Sequence, residues 1–227
     1  MKVIELKESV TASNEADAER LRAKMKQEGV LLVNVMSSPG SGKTTLLSAL
    51  IRDSRETKLK IGVLEADIAS DVDAAAVEKL GARSIQAHTD GMCHMDAGMT
   101  ARALEEMGTK DLDVIFLENV GNLICPAEFD TGSGLNLMIL SVPEGDDKPL
   151  KYPLMFETSD ALVITKTDAM PYFDFDAKRC AERVRKLNPD IRIFPVSAVT
   201  GDGMPELEHW LAAKISDWQT GASPAKR

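Results

Sequence analysis

The stretch Ser37-Ser38-Pro39-Gly40-Ser41-Gly42-Lys43-Thr44 follows directly on the apolar run Val30 to Met36 and leads into Thr44-Thr45-Leu46-Leu47. A buried strand, a tight glycine-rich turn and a helix in that order make a phosphate-binding loop. Consecutive backbone N–H groups and a helix N-terminus converge on an anion there, and glycines let the backbone come close to it. Gly40, Ser41, Gly42, Lys43, Thr44 and Thr45 are the expected phosphate-holding residues. Lys43 reaches the β- and γ-phosphates as a point charge, and the Thr44 hydroxyl ligates Mg²⁺. Ser37 stands where the pattern usually begins with glycine.

The rest of the chain fits that start. Strand-like runs at 30–36, 60–66, 113–118, 136–142, 160–165 and 191–196 alternate with helical patterns near 43–55, 69–80, 96–108, 174–187 and 204–218. Continuous apolar runs such as Val114-Ile115-Phe116-Leu117 suit strands covered on both faces. The expectation is therefore an α/β P-loop NTPase with a doubly wound, mostly parallel sheet and helices on both faces. Residues 1–29 read as an N-terminal extension with a surface helix from Asn14 to about Gly29, 30–219 as the domain, and 220–227 as a disordered tail.

Ligands of such sheets lie at the carboxyl ends of the strands, so the loops there carry the chemistry. After Val163-Ile164 comes Thr165-Lys166-Thr167-Asp168, placed where GTPases read the base. An Asp168 carboxylate accepts from both the ring N1–H and the exocyclic amine of guanine, a pair of donors adenine lacks. The stem of Lys166 covers the base, and Thr165 stands where Asn is commoner. Ser197-Ala198, after Ile193-Phe194-Pro195-Val196, resembles the last base-contacting loop of GTPases. GTP is thus favoured over ATP. Asp67 and Glu118, each at a strand end, are the expected Mg²⁺ and catalytic carboxylates beside Lys43, with Glu65 as a rival for Asp67. Gly121 is placed to donate its N–H to the γ-phosphate. It is followed by Asn122 rather than a water-positioning glutamine, and hydrolysis is expected to be slow.

A second signal comes from sulfur and imidazole. Cys93-His94 and Cys125-Pro126 fall in loops on the phosphate side of the sheet. Thiolate and imidazole suit Ni²⁺ and Zn²⁺, and three ligands from one chain leave a position for another partner. Without a Cys-x-x-Cys, spacing alone leaves metal binding and simple packing level; the proximity of Cys125 to Gly121 favours metal. Cys180 reads as structural, His88 and His209 receive no role, and Met92, Met95 and Met99 read as core.

Composition removes several alternatives. A net charge of −9 leaves no basic stripe for nucleic acid. No run is long enough to span a bilayer, and the N-terminus lacks a signal-peptide pattern. An odd count of three cysteines suits a reducing cytoplasm. A P-loop kinase or ATPase, and a non-catalytic metal scaffold that uses nucleotide only to dimerise, remain as alternatives.

Four segments together carry a resemblance: Ser38 to Thr44, Glu65 to Asp71, Gly91 to Ala97 and Glu118 to Pro126. They resemble the hydrogenase nickel-insertion GTPases, the HypB family, from about Asn14 to Trp218. The related urease nickel-insertion GTPases carry a compact Cys-Pro-His that is absent here. The resemblance implies a cytoplasmic maturation protein that delivers Ni²⁺ to the [NiFe]-hydrogenase large-subunit precursor together with the zinc-bearing partner HypA. It also implies a GTP-dependent homodimer with Cys93, His94 and Cys125 forming a Ni²⁺/Zn²⁺ site at the interface. Asp67 then belongs to switch I and Glu118 to Gly121 to switch II. The first 29 residues contain no Cys and no His, so no metal-storage segment is expected there.

Overall fold

Seven strands assemble into one sheet in the order β3-β2-β4-β1-β5-β6-β7, every neighbouring pair parallel. They are β1 Leu31–Ser37, β2 Ile61–Asp67, β3 Arg83–His88, β4 Val114–Glu118, β5 Leu135–Ser141, β6 Ala161–Thr165 and β7 Arg192–Pro195. A computed structural model describes residues 6–54, 59–67, 80–89 and 91–222, with the side chains of residues 6–12 and of Asp67 excepted. Positions 69–79 of the helix expected at 69–80 and the segment 223–227 of the expected tail lie outside the described residues.

Alternation along the strands explains why their sequences read as unbroken apolar runs. On β5, Leu137 and Ile139 enter one core while Met138 and Leu140 enter the other. On β6, Ala161 and Val163 divide from Leu162 and Ile164 in the same way. On one face Val114 and Phe116 of β4 meet α2 Lys43–Asp53 and the helix Met204–Thr220, whereas Ile115 turns to the opposite face, where Met107 of α3 Ala97–Met107 lies beside it and α1 Leu6–Glu28 packs on α3. The opposite core packs Phe156, Cys180 and Val184 over β5 and β6. Among these, burial pushes the Cys180 thiol up to about 12, with the Asp146 carboxylate adding to it, so Cys180 is structural as expected.

Strand order reverses at β1, which lies between β4 and β5. The loops after β1 and β4 therefore emerge side by side at the crevice where such sheets bind ligands. The structure differs from the sequence reading in three respects. β3 is additional: it is an edge strand with partly exposed residues and no apolar run to announce it. The helix read at 14–29 begins at Leu6, and its Ala18, Leu21 and Met25 are buried, so it is not confined to the surface. Short helices at Cys125–Glu128 (α4), Lys148–Lys151 (α5) and Pro153–Glu157 (α6) each start on or beside a proline and are too brief to show a period. Asp146, beside α5, receives Arg179 Nε at 2.9 Å, Arg183 Nη1 at 2.7 Å and the Asp176 N–H at 3.0 Å. It thereby ties this segment to α7 Ala177–Leu187. The last helix, α8, runs to Thr220 and ends on Gly221. No helix among the described residues is long and apolar enough to cross a membrane.

Candidate functional site: a phosphate loop joined to a thiol and imidazole cluster

The β1–α2 turn has the geometry its glycines allow. Gly42 caps α2 at φ 94°, and a side chain there would also meet the Lys166 stem at 3.7 Å. Ser37, the departure from the usual pattern, turns out to organise the loop. Its hydroxyl accepts from Lys43 Nζ at 2.9 Å and from Ser41 Oγ at 2.7 Å, and donates to the Ser38 carbonyl at 2.8 Å. Nothing in the motif announces that role; a serine with no exposed surface in the strand run was the available signal.

From β4, Glu118 Oε1 accepts from the Thr44 hydroxyl at 3.1 Å. Glu65 lies opposite Glu118 in the β2–β4 register, and both carboxylates are buried. Two buried carboxylates beside a hydroxyl form an oxygen-only donor set, which fits a hard cation such as Mg²⁺. Asp67 ends β2, but its side chain lies outside the described residues. Beyond Glu118 the chain turns back on the phosphate loop. A Cβ on Gly121 would stand 3.0 Å from the Pro39 nitrogen, so only glycine permits this approach.

The β6 and β7 loops close the other end. Thr165, buried, donates to the Ser41 carbonyl at 2.7 Å, and Lys166 Nζ donates to the Gly40 carbonyl at 2.8 Å. Lys166 adopts a left-handed conformation (φ 59°) as it turns towards the loop. Asp168 is exposed and its Oδ1 accepts from the buried Ser197 hydroxyl at 2.7 Å. Ser197 also receives the Thr200 N–H at 3.1 Å, which stiffens the turn containing the half-buried Ala198. Thr45, by contrast, is exposed on the first turn of α2.

Cys93, His94 and Cys125 do converge. One ligand atom from each lies within 4.8 Å of the others, and the two sulfurs are 2.7 Å apart. His94 stacks on Phe129 with ring centroids 3.9 Å apart. Burial pulls its imidazole below the ordinary value, with Asp96 and Glu128 acting in the opposite sense. The neutral ring is the ligating form. The adjacent Cys93 thiol, then burial, push the Cys125 thiol up, and Asn122 Nδ2 at 3.6 Å acts against them. Asn122 Oδ1 also accepts the Ile124 N–H at 2.8 Å, so this residue shapes the turn that presents Cys125. Two soft thiols and one imidazole fit Ni²⁺ or Zn²⁺. Asn14 of α1 joins both arms: it accepts from the Ala97 N–H at 2.9 Å and donates to the Asp130 carbonyl at 2.9 Å. Of the three methionines, Met95 and Met99 pack into the core, whereas Met92 is exposed rather than buried as expected. Ile124, on the Cys125 arm, is also exposed.

Fold and site together define a P-loop NTPase that carries, beside its phosphate loop, a cluster of two thiols and an imidazole with the donor chemistry of a transition-metal site. Residues 31–195 match the model of the CobW/HypB/UreG nucleotide-binding domain. The chain is 41% identical to the hydrogenase maturation factor HypB of Rhizobium leguminosarum bv. viciae over 92% of its own length and 70% of that protein's. The crystal structure of HypB from Helicobacter pylori in complex with nickel superposes with a TM-score of 0.85 at 35% identity, covering 95% of this chain and 99% of that one. HypB from Archaeoglobus fulgidus gives 0.83 at 33% identity, covering 90% and 99%. The chain belongs to the HypB family.

Proposed function

We propose that this protein is a GTP-gated nickel metallochaperone. It binds and slowly hydrolyses GTP, and it delivers Ni²⁺ to the large-subunit precursor of a [NiFe]-hydrogenase. The observation that carries this reading is the segment 118–125. Glu118 bonds Thr44, Gly121 packs on Pro39, and Cys125 stands in the metal cluster. One short piece of chain thus touches both ligands' sites.

In this reading Gly40 to Thr45 hold the phosphates, and Lys43 leaves Ser37 for the β- and γ-phosphate oxygens. The Gly121 N–H senses the γ-phosphate. Thr44 and Glu118, with Asp67, would hold Mg²⁺, which neutralises charge on the phosphates when bound. Lys166 covers the guanine, Asp168 reads its N–H pair, and Ser197 and Ala198 complete the base pocket. Ser197 already orients the Asp168 carboxylate, which supports guanine over adenine. Asn122 is engaged with Cys125 and Ile124, which agrees with slow turnover for want of a water-positioning side chain. Cys93, His94 and Cys125 bind Ni²⁺ as cargo and accept Zn²⁺ as well. Exposed apolar Met92 and Ile124 on the arms of the cluster support a GTP-dependent homodimer that meets there. Within the cytoplasm the remaining partners are HypA, which supplies nickel, and the hydrogenase precursor, which receives it.

Turnover of GTP and of ATP by the wild type and by Lys43→Ala tests the enzymatic half. The expectation is GTP hydrolysis that disappears in Lys43→Ala. Preference for ATP would point to a kinase or ATPase. Equal rates in the two proteins would leave a non-catalytic scaffold.

A further inference from the structure

Within the GTP-gated reading, one arm of the metal cluster has a covalent route to the nucleotide: Cys125 follows Gly121 in the chain. Cys93 and His94 have none, since they precede α3 on a different segment. We propose that the buried side chain of Asn119 is the positioning residue that makes this second connection, coupling nucleotide state to Cys93 and His94.

Asn119 sits between the two residues that touch the phosphate loop, Glu118 and Gly121, and is 1% exposed. Its Oδ1 accepts from the Met95 N–H at 3.1 Å and from the Val120 N–H at 2.9 Å. Met95 directly follows Cys93-His94 and is itself fully buried, so it cannot move independently of that bond. The Asn119 amide is held from behind by a row of amides crossing the sheet. Its Nδ2 donates to Asn34 Oδ1 at 3.0 Å, and Asn34 Nδ2 donates to Asn136 Oδ1 at 3.3 Å. Asn136 Nδ2 donates to the Thr158 carbonyl at 3.0 Å.

The direction of this row is fixed at both ends. A carbonyl only accepts, so Thr158 obliges Asn136 to donate to it and therefore to accept from Asn34. Asn34 must then accept from Asn119, whose Oδ1 is left to meet the two backbone donors. Neither end can flip without leaving a buried polar group unsatisfied, which is costly. Asn119 therefore moves as part of the 118–121 segment rather than rotating to compensate. When the γ-phosphate draws Gly121 towards it, the Met95 N–H and its two preceding ligands follow. The N···O distance of 3.1 Å is already near the long end for such a bond, so a displacement of a few tenths of an ångström alters it.

The test is nickel titration of the full chain in GDP and in a non-hydrolysable GTP analogue, giving a ratio of nickel affinities. Wild type, Asn119→Ala and Asn34→Ala are compared. Wild type should show a ratio of at least about fivefold, the low end of ordinary coupling between sites. Asn119→Ala should bind nickel in both states with the ratio reduced below about twofold. Asn34→Ala removes the bond behind the Asn119 amide but not the two backbone donors, Met95 N–H and Val120 N–H, which by themselves keep Oδ1 facing them, so it should lose stability and keep the wild-type ratio. An unchanged ratio in Asn119→Ala, loss of its nickel binding in both states, or an equal collapse in Asn34→Ala would overturn the proposal. If Asn119→Ala does not fold, Asn119→Ser, too short to reach Met95, is judged on the same terms. A wild-type ratio of one would instead defeat the GTP-gated reading itself, and this inference with it.

Discussion

Replacing Gly121 by alanine should separate GTP from GDP. The glycine is not among the residues with positive φ, so the substitution adds volume without straining the backbone. The new methyl would meet the Pro39 nitrogen and Cγ at 3.0 Å and its Cα at 3.1 Å. Carbon contacts are most favourable at roughly 3.5–4.0 Å, so the two segments must part by about 0.5 Å. Pro39 cannot give way easily, because hydrogen bonds from Lys43 and Ser41 to the Ser37 hydroxyl brace its loop. The strain therefore falls on the 118–121 side, at a cost of roughly 1–3 kcal/mol. It also withdraws the residue 121 N–H from the γ-phosphate. A hydrogen bond to a charged group contributes about 1.5–3 kcal/mol net, which corresponds to roughly 10- to 150-fold in affinity. Only a triphosphate makes that contact. Calorimetric titration should show the GTP analogue weakened by about that factor and GDP changed by less than about threefold. Equal weakening of both nucleotides, or of neither, would refute the reasoning.

Three further outcomes follow from particular contacts. Asp168→Asn should lose at least about tenfold in GTP affinity and gain affinity for xanthosine triphosphate, whose C2 oxygen accepts from the new amide; competition binding reads this, and an unchanged preference for guanine would contradict the base assignment. Met25→Ala, truncating a fully buried side chain of α1, should destabilise the protein by roughly 2–5 kcal/mol in urea unfolding; no loss would mean that the N-terminal helix is a dispensable extension. Burial alone would raise Asp146, but Arg179, the Asp176 N–H and Arg183 outweigh it and hold the carboxyl below the usual range. A depressed folded value contributes stability above the ordinary Asp value, which is lost as pH falls through the folded one. Asp146→Asn should therefore cost roughly 1.5–3 kcal/mol at pH 7 and progressively less below about pH 4, and a pH-independent difference would be inconsistent with that linkage.

Most of the site was legible because strand ends in a doubly wound sheet declare themselves. Apolar runs such as 114–117 and 161–164 enter cores on both faces, so burial and sequence carry the same signal. The motifs then lie one step beyond each run. What escaped had other causes. β3 is an edge strand whose alternation rests on Ile85 and Ala87 alone, too short a pattern to declare itself. Ser37 looked like a defect in the loop motif, yet its hydroxyl organises Lys43 and Ser41. Asn122 stands where a glutamine is sought, and its side chain's hold on the cysteine arm is not visible in the motif. Asn34, Asn119 and Asn136 come from three strands or strand ends, and nothing local in the chain shows that they meet. Pairing across a sheet is non-local information, and a single polar residue in an apolar run is its faintest trace.

The most direct trial of the account is nickel titration of the wild type and of Cys93→Ser with Cys125→Ser, in GDP and in a GTP analogue, with molecular mass followed throughout. The account predicts a nickel site that depends on both cysteines, and an affinity and dimer population that change together with the nucleotide. Nickel binding indifferent to the cysteines and to the nucleotide would contradict it, leaving a nucleotide-binding protein whose thiols merely pack.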